Sequence, residues 1–142
     1  MNLSLNDYIS IFIHQTDLTV TNCVKSKLAP FNLAPEQNLI MMLLWEKDGM
    51  TQNEIAEKLL KDKTNIARMV SNLEKKGFIK REPCEKDRRS LHLFLTNKGR
   101  ELGHRVIPIT EDLNKLVCEG ITDEELSEVR RILSKIQENV QR

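Results

Sequence analysis

A mainly α fold, six helices plus a small antiparallel β-hairpin, is predicted for these 142 residues by three observations. Apolar residues recur at helical spacing in successive segments, Leu91-His92-Leu93-Phe94-Leu95 alternates as a strand, and Pro35, Gly49, Gly77 and Gly120 punctuate the pattern. Between Thr51 and Thr96 the order is two short helices, a Gly stop, a basic excursion ending Asp87-Arg88-Arg89-Ser90, and the alternating strand. That is the outline of a helix-turn-helix followed by a wing. Its polar helix and paired arginines are the parts that could enter the two grooves of duplex DNA.

Each element has a local reason. Residues 5–28 place Leu5, Ile9, Phe12, Ile13, Val20, Val24 and Leu28 near a helical period, with Ser4 and Asp7 positioned to cap the start. Asn32-Leu33-Ala34-Pro35 breaks that helix, and Pro35-Glu36 suits the first turn of a second one carrying Leu39, Ile40, Leu43 and Leu44, which Asp48-Gly49 ends. Lacking a wide polar face, the second helix should be central to the core, with Trp45 packing. Thr51-Gln52-Asn53-Glu54 reads as a capping box for a third helix whose Ile55, Ala56 and Leu59 face inward. After Leu60-Lys61, Asp62 is a second N-cap. The fourth helix then lines Ile66, Val70 and Leu73 along one face and leaves Lys63, Thr64, Asn65, Ala67, Arg68 and Ser71 on or near the other. Gly77 supplies its left-handed stop. Phe78-Ile79 and residues 91–95 bracket the charged residues 80–90 as a hairpin with a basic tip. Thr96 caps a fifth helix reaching towards Glu119 and ended by Gly120, in which Pro108 should cause a bend or interruption because it has no donor N–H. Thr122 and Glu125 make a further capping box before a sixth helix striped with Leu126, Val129, Ile132, Leu133, Ile136 and Val140.

A net charge of only +1 argues against a nucleic-acid partner until its distribution is considered. Residues 61–89 hold ten Lys and Arg against five Asp and Glu, a local +5 that leaves −4 on the rest. Phosphate neutralisation is local, so a basic segment in an acidic body is the footprint expected of a DNA-binding module. The length suggests one domain burying roughly two-thirds of its unfolded surface. Three widely spaced cysteines, Cys23, Cys84 and Cys118, fit reduced thiols in the cytoplasm better than a disulfide framework. Residues 39–45, the longest apolar run, are too few to span a bilayer, and with no Lys or Arg before Lys25 the start does not read as a secretory signal.

The chemistry follows from the helix width. A cylinder roughly 10–12 Å across fits a major groove of similar width, so side chains on its first turns reach base edges. Lys63, Thr64, Asn65 and Arg68 occupy those turns: Arg68 suits a bidentate contact to guanine and Asn65 to adenine, while Lys63 and Lys61 suit phosphates. On the wing, Arg88 and Arg89 could insert into the narrow minor groove, and Asp87, itself repelled by phosphate, would fix an adjacent guanidinium through a charge-assisted bond. Lys86 is a further phosphate contact.

These residues resemble the multiple-antibiotic-resistance regulator (MarR) family of winged helix-turn-helix transcription factors. The match runs through Asp87-Arg88-Arg89-Ser90-Leu91-His92-Leu93-Phe94-Leu95-Thr96-Asn97-Lys98-Gly99, and it also takes in Leu33-Ala34-Pro35-Glu36-Gln37, Thr51-Gln52 with Ile55-Ala56, and Val70-Ser71-Asn72-Leu73-Glu74-Lys75-Lys76-Gly77-Phe78-Ile79. The resemblance implies that Arg89 is the minor-groove arginine oriented by Asp87, that Arg88 is an extra phosphate contact, and that the helix from about Asp62 enters the major groove. It also implies a homodimer held by the first, fifth and sixth helices on a pseudo-palindromic operator, with residues 35–99 as the DNA-binding region and residues 1–32 and 100–142 as the dimerisation region. The expected function is a sequence-specific repressor released by a small aromatic or phenolic effector.

Two other readings use the same fold. One is thiol redox sensing at Cys84 or Cys23. Cys84 sits in the wing among Lys and Arg able to lower its pKa, whereas Cys23 lies deep in the first helix, later than the family's sensing position. The other is a docking surface for an acidic protein. His14, His92 and His104 show no metal-ligand spacing, and no phosphate loop, nucleophile elbow or His-Glu-x-x-His motif argues for an enzyme. Gly99 and Gly103 have the spacing of a membrane dimer motif but lie in a charged segment.

Overall fold

The computed structural model describes residues 2–86 and 89–142. Along them run α1 (Ile9–Leu28), α2 (Pro35–Glu46), α3 (Gln52–Lys58), α4 (Lys63–Lys75), β1 (Ile79–Pro83), β2 (Leu91–Leu95), α5 (Asn97–Val117) and α6 (Asp123–Gln141). Short 3-10 turns at Leu5–Asp7 and Ala29–Phe31 flank α1. The two strands form one antiparallel hairpin in which Ile79 faces Leu95 and Pro83 faces Leu91.

The core is built around α2, whose Ile40, Met41 and Leu44 are buried. Leu28 closes it from α1, Ile55 and Ala56 from α3, Ile66, Met69, Val70 and Leu73 from α4, Ile79, Leu93 and Leu95 from the hairpin, and Leu102 and Val106 from α5. Trp45 packs against this cluster, and its indole Nε1–H donates to the Gly99 carbonyl at 3.0 Å. The spacing of Gly99 and Gly103 has its reason here. A Cβ on Gly99 would lie 2.0 Å from the Phe78 carbonyl oxygen, and one on Gly103 would lie 2.7 Å from the Trp45 Nε1. The two glycines let α5 approach the backbone of the α4–β1 junction and the Trp45 indole.

Three local expectations are corrected. Ser4 makes no side-chain cap: residues 5–7 wind as a 3-10 turn, and the helix proper starts at Ile9 behind an uncapped Tyr8. The Thr51 hydroxyl accepts from the Glu54 N–H at 3.1 Å, but the returning half of that capping box does not form. Instead, residues 49–51 run beside the hairpin: the Gly49 N–H donates to the Leu93 carbonyl, the Leu93 N–H to the Met50 carbonyl, and Thr51 bridges His92. Of the bend or interruption expected at Pro108, the interruption does not occur: α5 runs through it from Asn97 to Val117, with one helical carbonyl deprived of its donor. The capping box of α6 forms as expected, with Thr122 and Glu125 each accepting from the other's N–H.

The chain divides into two compact units, Met1–Ile109 and Thr110–Arg142. The first holds the core described above. In the second, α6 buries none of its residues, and Val129, Ile132, Leu133 and Val140 are exposed. Leu5, Ile9 and Phe12, at the other end of the chain, are exposed as well. None of the described helices is long and apolar enough to cross a membrane.

Candidate nucleic-acid interface

The link between α3 and α4 is a tight helix-to-helix turn. The Lys61 N–H reaches back to the Ala56 carbonyl and the Leu60 N–H to that of Glu57, the paired bonds of a Schellman ending. Leu60 takes the left-handed position at φ 54°, where glycine is the usual residue. Asp62 then restarts the chain as N-cap, its Oδ1 accepting from the Asn65 N–H at 2.7 Å.

Helix α4 buries Ile66, Met69, Val70 and Leu73 and leaves Lys63, Thr64 and Arg68 exposed, with Asn65 half-buried between the two faces. Asn65 and Arg68, read from the sequence as separate base readers, are joined: the Asn65 Oδ1 accepts from Arg68 Nη2 at 2.6 Å, and its Nδ2 donates to Asp62 Oδ2 at 3.1 Å. Lys61, read as a phosphate contact, spends its Nζ on Glu36 at 3.0 Å, which offsets the charge it would offer to a phosphate.

The same helix fixes the hairpin. Past the Gly77 turn, Glu74 accepts from both the Arg81 N–H, at 3.2 Å, and the Arg81 guanidinium, at 3.0 Å. That guanidinium holds the Glu74 carboxyl below its ordinary value. Sequence reading missed this clamp, because seven residues across a turn follow neither the helical nor the strand period. Further along, Cys84 continues the pairing through its N–H to the Ser90 carbonyl at 2.9 Å, and Lys86 and Arg89 are exposed at the tip. Asp87 and Arg88 lie outside the described residues.

Cys84 is half-buried. Its thiol hydrogen-bonds His92 across the hairpin, and the His92 Nδ1 lies 2.8 Å from the Gly49 carbonyl. A carbonyl can only accept, so Nδ1 carries a proton; the Gly49 bond first and the Cys84 contact second raise the imidazole pKa. Cys23 is half-buried within α1.

A cavity of about 670 Å³ opens on the same unit, lined among others by Phe31, Lys75, Lys76, Phe78, Lys98 and Arg105. The Lys98 ammonium lies 5.2 Å from the centre of the Phe78 ring, and the Arg105 guanidinium 5.2 Å from that of Phe31. Lys76 donates to the Asn32 carbonyl and to Gln37 Oε1, and its burial pulls the ammonium pKa down.

Comparison with known proteins places this arrangement. Residues 33–91 match the MarR family. An HTH-type transcriptional regulator of Bacillus subtilis, YybA, is 29% identical over 111 residues, which are 78% of this chain and 74% of that protein. The Escherichia coli transcriptional repressor MprA is 31% identical over 98 residues, covering 69% of this chain and 56% of the repressor. A MarR-family regulator of Listeria monocytogenes, solved in complex with a 26mer DNA, superposes with a TM-score of 0.80 at 26% identity, covering 99% of this chain and 90% of that one. The fold, the match of residues 33–91 and these relatives agree: this chain is similar to the MarR family of winged helix-turn-helix transcriptional regulators, and residues 33–91 carry the family's domain.

Proposed function

We propose that two copies of this chain repress transcription by occupying a pseudo-palindromic operator, each placing α4 in a major groove and its hairpin in the flanking minor groove. One observation carries this reading: Glu74 ties Arg81 to α4, so the helix exposing Lys63, Thr64 and Arg68 and the strand leading to Arg89 are held as one rigid reader. Its duplex complex makes the Listeria relative a precedent for DNA as the partner. In this reading residues 35–99 bind DNA, residues 1–32 and 100–142 pair the copies, and the regulator works in the cytoplasm. Phe31, Phe78 and the cations around the cavity suit a small aromatic acid or phenolate as effector. Such a ligand releases the operator only by favouring a conformation that fits it less well.

The test is selection of bound duplexes from a random pool, followed by titration at several salt concentrations. A recovered pseudo-palindrome with a steep salt slope supports the reading, and Arg89→Glu should abolish that binding while leaving the dimer intact. Retained binding by Arg89→Glu at physiological salt would remove the wing from the interface.

The hydrogen bond between Cys84 and His92 favours a second reading, in which the wing responds to oxidants. Peroxide would then modify Cys84 ahead of Cys23 and Cys118, and Cys84→Ser would keep operator binding in its presence; equal reactivity of the three thiols would dismiss it.

A further inference from the structure

We infer that Asn65 is a positioning residue that aims Arg68, and that the start of α4 reads base edges through this one guanidinium. The inference rests on the DNA-binding reading above and goes beyond it, because it settles which of two neighbouring candidates meets the base.

The direction of each bond is fixed by chemistry. Arginine only donates and an ionised carboxylate only accepts, so the Asn65 amide must turn its oxygen to Arg68 and its nitrogen to Asp62, as it does at 2.6 and 3.1 Å. A bidentate contact to adenine needs that same oxygen to accept and that same nitrogen to donate. Each amide atom has one further bonding site, so to make it Asn65 would have to share both atoms between the base and the partners that already fix its plane. Arg68 stays competent in place, since guanidinium has five donors and Asn65 engages one nitrogen. Spacing of three residues puts Asp62, Asn65 and Arg68 in file along one side of the first turns. The file is anchored because Asp62 Oδ1 caps the helix at 2.7 Å while its Oδ2 holds the amide. A side chain this mobile loses less freedom on binding if it is already aimed, and a wrong base then meets a group that cannot swing to another partner.

The experiment uses the full chain and the duplex it selects, with every single-base variant of that duplex titrated against wild type, Arg68→Ala, Asn65→Ala, the double variant and Asp62→Ser. Arg68→Ala should lose about tenfold discrimination at one base pair in each half-site. Asn65→Ala should lose discrimination at that same base pair and no other, and the double variant should be no worse than Arg68→Ala. Asp62→Ser keeps an oxygen for the cap and removes the one that holds the amide, so it should weaken the same position with helix content unchanged. A role confined to helix stability would instead weaken all duplexes alike, which overturns the inference. It is equally overturned if Asn65→Ala changes preference at a different base pair, if the two losses add, or if Arg68→Ala leaves every preference intact. Failure of wild type to select any duplex overturns the DNA-binding reading as well, and is distinguished by appearing before any substitution is made.

Discussion

Helices α4 and α6 carry apolar stripes of similar regularity and opposite fates. In α4 the stripe is sealed into the core at Ile66, Met69, Val70 and Leu73; in α6 Val129, Ile132, Leu133 and Val140 stand exposed. Amphipathic spacing therefore reveals that a face needs covering without revealing what covers it. For α4 the cover is the rest of its own unit. For α6 the cover proposed above is a second copy of the chain, since a stripe this size left in water forfeits stabilisation that association would recover.

The largest expected effect breaks that contrast. Ile132→Lys with Leu133→Lys should cost association about 2–5 kcal/mol and leave monomers in sedimentation velocity: a dimer loses four apolar side chains, each about two-fifths exposed before association, and full burial of one is worth roughly 1.5–3 kcal/mol. Unchanged association would mean that something other than a second copy covers α6. In the sealed unit, Gly99→Ala should lower stability to denaturant by about 2–3 kcal/mol, because its Cβ meets a backbone carbonyl oxygen at 2.0 Å. Gly103→Ala should cost less, since the group it meets is the Trp45 ring, a side chain with some room to shift.

A finer contrast lies between two helix endings of one design. Past α4 the left-handed position is filled by Gly77 at φ 84°, past α3 by Leu60 at φ 54°. Leu60→Gly should therefore stabilise by roughly 0.5–1 kcal/mol, relief of backbone strain outweighing the added freedom of the unfolded chain. A loss of stability would show that the exposed Leu60 side chain contributes contacts of its own. The smallest effect expected is a pH dependence. Because the folded pKa of His92 is raised above 6.5, its contribution is fully present below that pH and is lost as pH rises through the folded value. His92→Gln should flatten this part of the stability profile, and an unaltered profile would remove His92 as its source.

Much of this architecture was legible because it rests on local rules. Caps at Asp62, Thr96 and Thr122 and the stop at Gly77 lie where side-chain oxygens and a Cβ-free residue are needed, and each forms. The six helices and the hairpin follow from periods of apolar residues. What escaped reading depends on tertiary placement. Glu74 meets Arg81 only after the chain reverses at Gly77, Gly99 and Gly103 declare their purpose only beside Phe78 and Trp45, and the salt bridge from Lys61 to Glu36 joins elements 25 residues apart. At the candidate interface, residue types named which groups were able to touch DNA. They did not show that Asn65 is already committed to Asp62 and Arg68, since amide partners depend on rotamers that no spacing specifies.

Whether two copies share one operator is answered by equilibrium sedimentation of the protein with its selected duplex, using absorbance to count chains per DNA. The proposed dimer predicts two chains per duplex, lowered to weak or no complex by the Ile132 and Leu133 substitutions although α4 and the wing are unchanged. A tight complex holding a single chain per duplex, insensitive to those substitutions, would contradict it.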